Sequence, residues 1–157
     1  MSTAPSPTRR LGRRALLARL AGCLVLPWLC DVVLAAVRPQ RAFAAEDVAT
    51  VLRELYGRDS IPESGQIRIG VAKLAENGAV VPVKVEVDLP HVDEIALIAA
   101  RNPVPLVARF SFGPRTRPFV ATRIKLAETG EILAIARRGD ELLLARAAVE
   151  VTVGGCG

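Results

Sequence analysis

Valines recur at every second position from Val81 to Val87, with Pro82, Lys84 and Glu86 between them. Successive side chains of an extended strand point to opposite faces, so this spacing sets one apolar face against a core and leaves the other largely wet. Pro82 cannot donate to a ladder, which predicts an edge position or a bulge for this strand. The run covers 79–89, and another run, 66–76, precedes it across Asn77-Gly78. That dipeptide best tolerates the positive φ angles of a two-residue hairpin, so the two runs are expected to pair directly.

Further strands are expected at 94–99, 106–112, 119–127, 132–136 and 141–153, separated by Asn102-Pro103, Gly113-Pro114, Thr129-Gly130 and Gly139-Asp140. Ahead of them, "AEDVATVLRELYG" at 45–57 places Val48, Val51, Leu52 and Leu55 on one helical face, with acids in the first turn and Gly57 as the stop. Some seven short strands with frequent turns, one helix, and no alternation of strand with helix predict a mainly β fold. The expected architecture is an antiparallel β-sandwich with the helix packed on one side. A body of this size buries an adequate core without metal or disulfides.

The front of the chain differs from this body. Residues 1–44 hold seven Arg against one acid, Asp31, whereas 45–157 hold 14 Lys+Arg against 15 Asp+Glu, so a leader of +6 and a body of −1 account for the net charge of +5. The basicity belongs to the leader, and nucleic-acid binding has no support from the body. Basic residues, an apolar stretch over 15–37 and Ala42-Phe43-Ala44 as an A-x-A site predict an export signal at 1–44, cleaved before Ala45. Within it Arg13-Arg14, followed by apolar residues, resembles a twin-arginine signal; Arg9-Arg10 is a second, poorer pair. This predicts a periplasmic protein with no membrane attachment after cleavage. Two readings compete: an uncleaved anchor, which Arg19 and Asp31 interrupt, and a lipoprotein box at "LAGC", 20–23.

Cleavage would remove Cys23 and Cys30 and leave Cys156 as the only cysteine, between glycines, next to the C-terminus. A disulfide within the mature chain is then impossible, and an unpaired thiol in an oxidising compartment is a liability unless it is used. Gly154 and Gly155 restrict the backbone least, so three residues beyond Val153 carry the thiol about 10 Å past the last strand. A free thiol with pKa near 8.5 is only a few per cent ionised at neutral pH, and no neighbouring Lys, Arg or His lowers it. Activation must come from elsewhere, which describes a handle better than a catalyst. Three other readings stay open: an incidental tail, an exported sandwich that dimerises through an intermolecular disulfide, and a thiol redox enzyme, which the missing second cysteine disfavours.

Other candidates read as structural. His91 falls in a loop with no cysteine beside it, Asp93-Glu94 read as turn charges, and "RRGDE" reads as a hairpin at Gly139-Asp140. "GPRTRP" at 113–118 is a basic loop, solvated or in contact with a partner or an anion.

The ending "VEVTVGGCG" closely resembles the C-terminal arm of the SoxY family, sulfur carriers of the thiosulfate-oxidising Sox system. "AENGAVVPVKVEV" at 75–87, "NPVPLVARF" at 102–110 and "ATRIKLAETGEILAIAR" at 121–137 resemble further family motifs in the expected order. The family usually ends Gly-Gly-Cys-Gly-Gly, and here one glycine follows the cysteine. The resemblance implies an Ig-like sandwich over 45–153 and a swinging arm at 154–157, in which Gly154, Gly155 and Gly157 give clearance to Cys156, the covalent sulfur attachment site. It implies pairing with a SoxZ-like subunit and service to a c-type cytochrome coupling complex, a sulfate-releasing hydrolase and, in some systems, a sulfane dehydrogenase. The carrier itself would hold no cofactor, neither haem nor metal.

Overall fold

The computed structural model describes residues 39–152. Residues 1–38 of the expected export signal, with Arg13 and Arg14, and the segment with Gly154, Gly155, Cys156 and Gly157, lie outside the described residues. A 3-10 turn, Ala42–Ala44, leads into helix α1, Val48–Tyr56. The acids expected in its first turn stand before it. Asp47 is the N-cap, extended at φ −137°, and its carboxylate accepts the Thr50 N–H at 2.8 Å and the Thr50 hydroxyl at 2.7 Å. These two bonds, the side-chain one first, hold the Asp47 carboxyl below its ordinary pKa. Gly57 closes the helix at φ 65°, where a Cβ would be strained, and donates its N–H to the Arg53 carbonyl at 2.9 Å.

Eight strands follow: β1 Ile67–Gly70, β2 Leu74–Ala75, β3 Val81–Val87, β4 Glu94–Ala99, β5 Leu106–Ser111, β6 Phe119–Ile124, β7 Gly130–Arg138 and β8 Glu141–Val151. They form a three-stranded sheet in the order β1-β3-β6 and a five-stranded sheet in the order β2-β8-β7-β4-β5. The β3 valines, all buried, meet Ile95, Leu97, Ile132, Ala134 and Val149 in one core between the sheets. On its other face the larger sheet presents Ala96, Ile98, Leu133, Ile135 and Leu144, and α1 covers these with Val51 and Leu52. Ala42, expected as part of the export signal, is fully buried in this second core. β4 is therefore buried on both faces, the middle of three layers.

The β-sandwich with one helix on one side is as expected, but two local expectations need correction. Asn77-Gly78 is no two-residue hairpin. β1 does pair antiparallel with β3, Ile67 opposite Val87, but between them the chain crosses to the other sheet, where β2 runs parallel to β8. Pro82 sits in the central strand of its sheet, opposite Arg123 of β6. It is tolerated because β1 ends at Gly70 opposite Lys84, so β3 has only one neighbour at Pro82. β6 also stops earlier than the pattern suggests. Beyond Ile124 the side that faced β3 meets Gly78, whose carbonyl accepts the Leu126 N–H at 2.7 Å, and on the opposite side the Asn102 side chain takes the Lys125 carbonyl and the Ala127 N–H, each at 2.8 Å. Gly139-Asp140 does form the two-residue turn of the β7–β8 hairpin, with Gly139 at φ 57° and Arg138 opposite Glu141.

Candidate functional site

β8 leads to the cysteine segment, and it is held on both sides up to its last described residues. Along a strand, successive N–H groups face opposite neighbours. The N–H groups of Glu150 and Thr152 face β2 and donate to the carbonyls of Lys73 at 2.8 Å and Ala75 at 3.1 Å. Val149 faces β7, where Gly130 is its partner and the first residue of that strand. Val151 therefore has no β7 residue opposite it. The Thr129 hydroxyl replaces the missing strand, accepting the Val151 N–H at 2.9 Å. A side chain thus extends the ladder by one step.

Gly78 sits beneath this junction. A Cβ there would lie 2.6 Å from the Leu126 carbonyl oxygen and 2.8 Å from Val151 Cγ1, both inside contact distance. The need for glycine comes from close approach, since Gly78 is not among the residues with positive φ. Its carbonyl accepts the Leu126 N–H at 2.7 Å, and Asn77 turns the chain before it re-enters β3, its Oδ1 accepting the Ala79 N–H at 2.9 Å. Lys73 to Ala75, Gly78 and Thr129 are the residues that sequence reasoning missed here. Thr129-Gly130 and Asn77-Gly78 were legible as turns, but which strand they would brace was not.

A second polar cluster lies at the opposite end of the sandwich. The expectation that Asp93-Glu94 are turn charges holds for Asp93, whose carboxylate accepts the Gly139 N–H at 2.6 Å. It fails for Glu94, which opens β4 and is only 1% exposed. The Glu94 carboxylate accepts the Tyr56 hydroxyl at 2.9 Å and Arg109, with Arg137 at 3.6 Å. Burial, then the Glu94 charge and the hydrogen bond to it, pushes the Tyr56 phenol above its ordinary range, while the bond to Glu94 raises Arg109. One carboxylate oxygen takes the phenol and the other the Arg109 guanidinium, and the phenol keeps its proton, so the cluster is a structural tie. It ties α1, β4, β5 and β7 together.

The other candidates are surface features. His91 is exposed in a loop at φ 56°. From the basic loop, Arg117 reaches Glu86 on the outer face of β3, which also meets Arg68 at 3.2 Å. Hydrogen bonds from Arg68 and then Arg117 hold the Glu86 carboxyl below its ordinary pKa. Among the described residues no group of His, Cys, Asp and Glu is placed to hold a metal ion, and no helix is long and apolar enough to cross a membrane.

The chain matches the family model of the sulfur oxidation protein SoxY over residues 52–156, a match that reaches Cys156. Among solved structures it is similar to the sulfur carrier protein SoxY from Chlorobium limicola f thiosulfatophilum, at 34% identity and a TM-score of 0.60, covering 66% of this chain and 94% of that one. No curated protein matches.

Proposed function

Because the chain belongs to the SoxY family, we propose that it is a sulfur carrier of sulfur oxidation that binds thiosulfate-derived groups on Cys156 and presents them to partner enzymes. In the loading step the thiol and thiosulfate lose two electrons and one proton, and a new S–S bond leaves a cysteine S-thiosulfonate on the arm. A c-type cytochrome complex takes the electrons. Water then displaces the terminal sulfonate as sulfate with release of two protons, through a hydrolase, and leaves a persulfide anion on Cys156. In systems that have one, a sulfane dehydrogenase removes six electrons from the outer sulfur, drawing three oxygens from water. A second hydrolysis frees sulfate and restores the thiol.

This chain contributes position rather than acid-base chemistry. The observation that carries the reading is the doubly held end of β8, where bonds from Glu150, Val151 and Thr152 anchor the chain four residues before the cysteine. A thiol delivered into another protein's active site needs a firm base and a narrow approach, and glycines on either side of Cys156 bring no side chains with them. Export through Arg13-Arg14 to the periplasm and pairing with a SoxZ-like subunit belong to the same proposal, since a twin-arginine route carries chains that have already folded and assembled.

The test is the intact mass of the exported protein after incubation with thiosulfate and the partner enzymes. Sulfur-containing adducts on the wild type, absent from Cys156→Ser, are the expected result. A doubled mass that collapses on reduction would instead identify a disulfide dimer, and an unchanged mass in both chains would refute the carrier role.

A further inference from the structure

Four large apolar side chains stand exposed among the described residues: Leu74, Val80, Val104 and Phe119. The first three belong to one end of the sandwich. Leu74 lies opposite Glu150 at the close of β8. Val80 immediately precedes β3, whose first residue pairs with the last of β6. Val104 lies in the β4–β5 loop, which Asn102 ties to Lys125 and Ala127. Phe119, opposite Glu86, marks the other end. Leu74 and Val80 are each 51% exposed, and each stands beside a residue buried in the core between the sheets, Ala75 and Val81.

The length of chain beyond β8 says what meets this end. Four residues from Thr152 to Cys156 span at most about 14 Å when fully extended. Any active site that takes the thiol lies below its own protein's surface, so part of that reach is spent inside it. The rim around the entrance must then come against the residues that surround the root of the arm. This holds for each enzyme in turn, because each is limited by the same reach. A carrier that must be released after every step suits a small contact, of the size found in transient encounters, better than a wide one.

We infer that Leu74, Val80 and Val104 form a common docking face for the active-site rims of the enzymes that act on Cys156. The inference rests on the carrier reading and adds to it the surface through which the carrier is recognised. A permanently bound subunit sits elsewhere, since covering this end would fence off the thiol.

The experiment uses the exported chain with its partner subunit, and follows thiosulfate coupling to Cys156 by intact mass at several carrier concentrations. The double variant Leu74→Ser with Val80→Ser, and separately Val104→Ser, are compared with Phe119→Ser. The expected result is a KM for the carrier raised at least about tenfold in the double variant, with kcat and the rate of labelling by iodoacetamide unchanged. Phe119→Ser is expected to behave as wild type. A double variant with wild-type KM, an equal loss in Phe119→Ser, or release of the partner subunit by the double variant would each overturn the docking face. Wild-type protein that takes up no thiosulfate would overturn the carrier reading and this inference with it.

Discussion

The Glu94 carboxylate is a charge with almost no contact with water, and its cost is offset only by its donors. Glu94→Leu leaves the Tyr56 hydroxyl and the Arg109 guanidinium without their acceptor and Arg137 without its ion-pair partner. Because Arg109 and Arg137 are 28% and 39% exposed and regain some water, the expected loss is about 2 kcal/mol, below that for a fully buried pair. Tyr56→Phe removes one hydrogen bond and is expected to cost about 1 kcal/mol in urea unfolding near neutral pH. Its pH dependence carries a sign. The folded-state phenol is raised above its unfolded value, so the stabilisation is complete below about pH 10 and is lost as pH rises beyond that. The advantage of wild type over Tyr56→Phe should therefore shrink as unfolding is measured at rising pH above 10, and a constant difference would show that the phenol is not held protonated. At Gly78 the cost is steric. Gly78→Ala drives a methyl against the Leu126 carbonyl, which is backbone and cannot rotate away, so a loss of about 1–3 kcal/mol is expected.

At the scale of the element, β8 outlasts β7, and Thr129 makes up the difference. Thr129→Val keeps the shape of the side chain and removes the acceptor, so the Val151 amide should exchange its hydrogen about fivefold faster, the equivalent of one lost hydrogen bond of about 1 kcal/mol. The Glu150 and Thr152 amides, which face β2, should change little, and equal acceleration of all three would mean that the strand end opens as a unit. β3 offers the converse case. Since β1 stops short of Pro82, a restored N–H finds no strand there, and Pro82→Val should leave stability within about 0.5 kcal/mol. A larger gain would show that β1 extends further in solution.

For the whole molecule the predictions concern delivery. Gly154→Pro with Gly155→Pro keeps the thiol but fixes φ at two positions of the approach. Labelling of Cys156 by a small reagent should stay near the wild-type rate, while modification by the partner enzymes slows at least about tenfold, or about 1.4 kcal/mol in transition-state stabilisation. Processing at the wild-type rate would leave the cysteine essential but the arm mechanism wrong. Replacing Arg13 and Arg14 by lysine should retain the protein in the cytoplasm, as read by fractionation, and unchanged export would refute the twin-arginine route.

Strand and helix were legible where the cause is local. Val81 to Val87 face the core because side-chain direction alternates along any extended chain, and α1 ends at Gly57 because a left-handed residue there strains any side chain. The β7–β8 turn was legible for the same reason, since a two-residue connection leaves few backbone conformations. Which strands become neighbours is not local. Asn77-Gly78 has the residues of a hairpin, yet Leu74–Ala75, just before it, pairs with β8 in the other sheet, so the turn does not close β1 directly onto β3. Glu94 is decided in the same way. Its nearest sequence neighbour is another acid, and a carboxylate in that setting belongs in water unless donors arrive from elsewhere. They come from Tyr56, 38 residues away, and from arginines on two further strands, and only the assembled fold brings the four together.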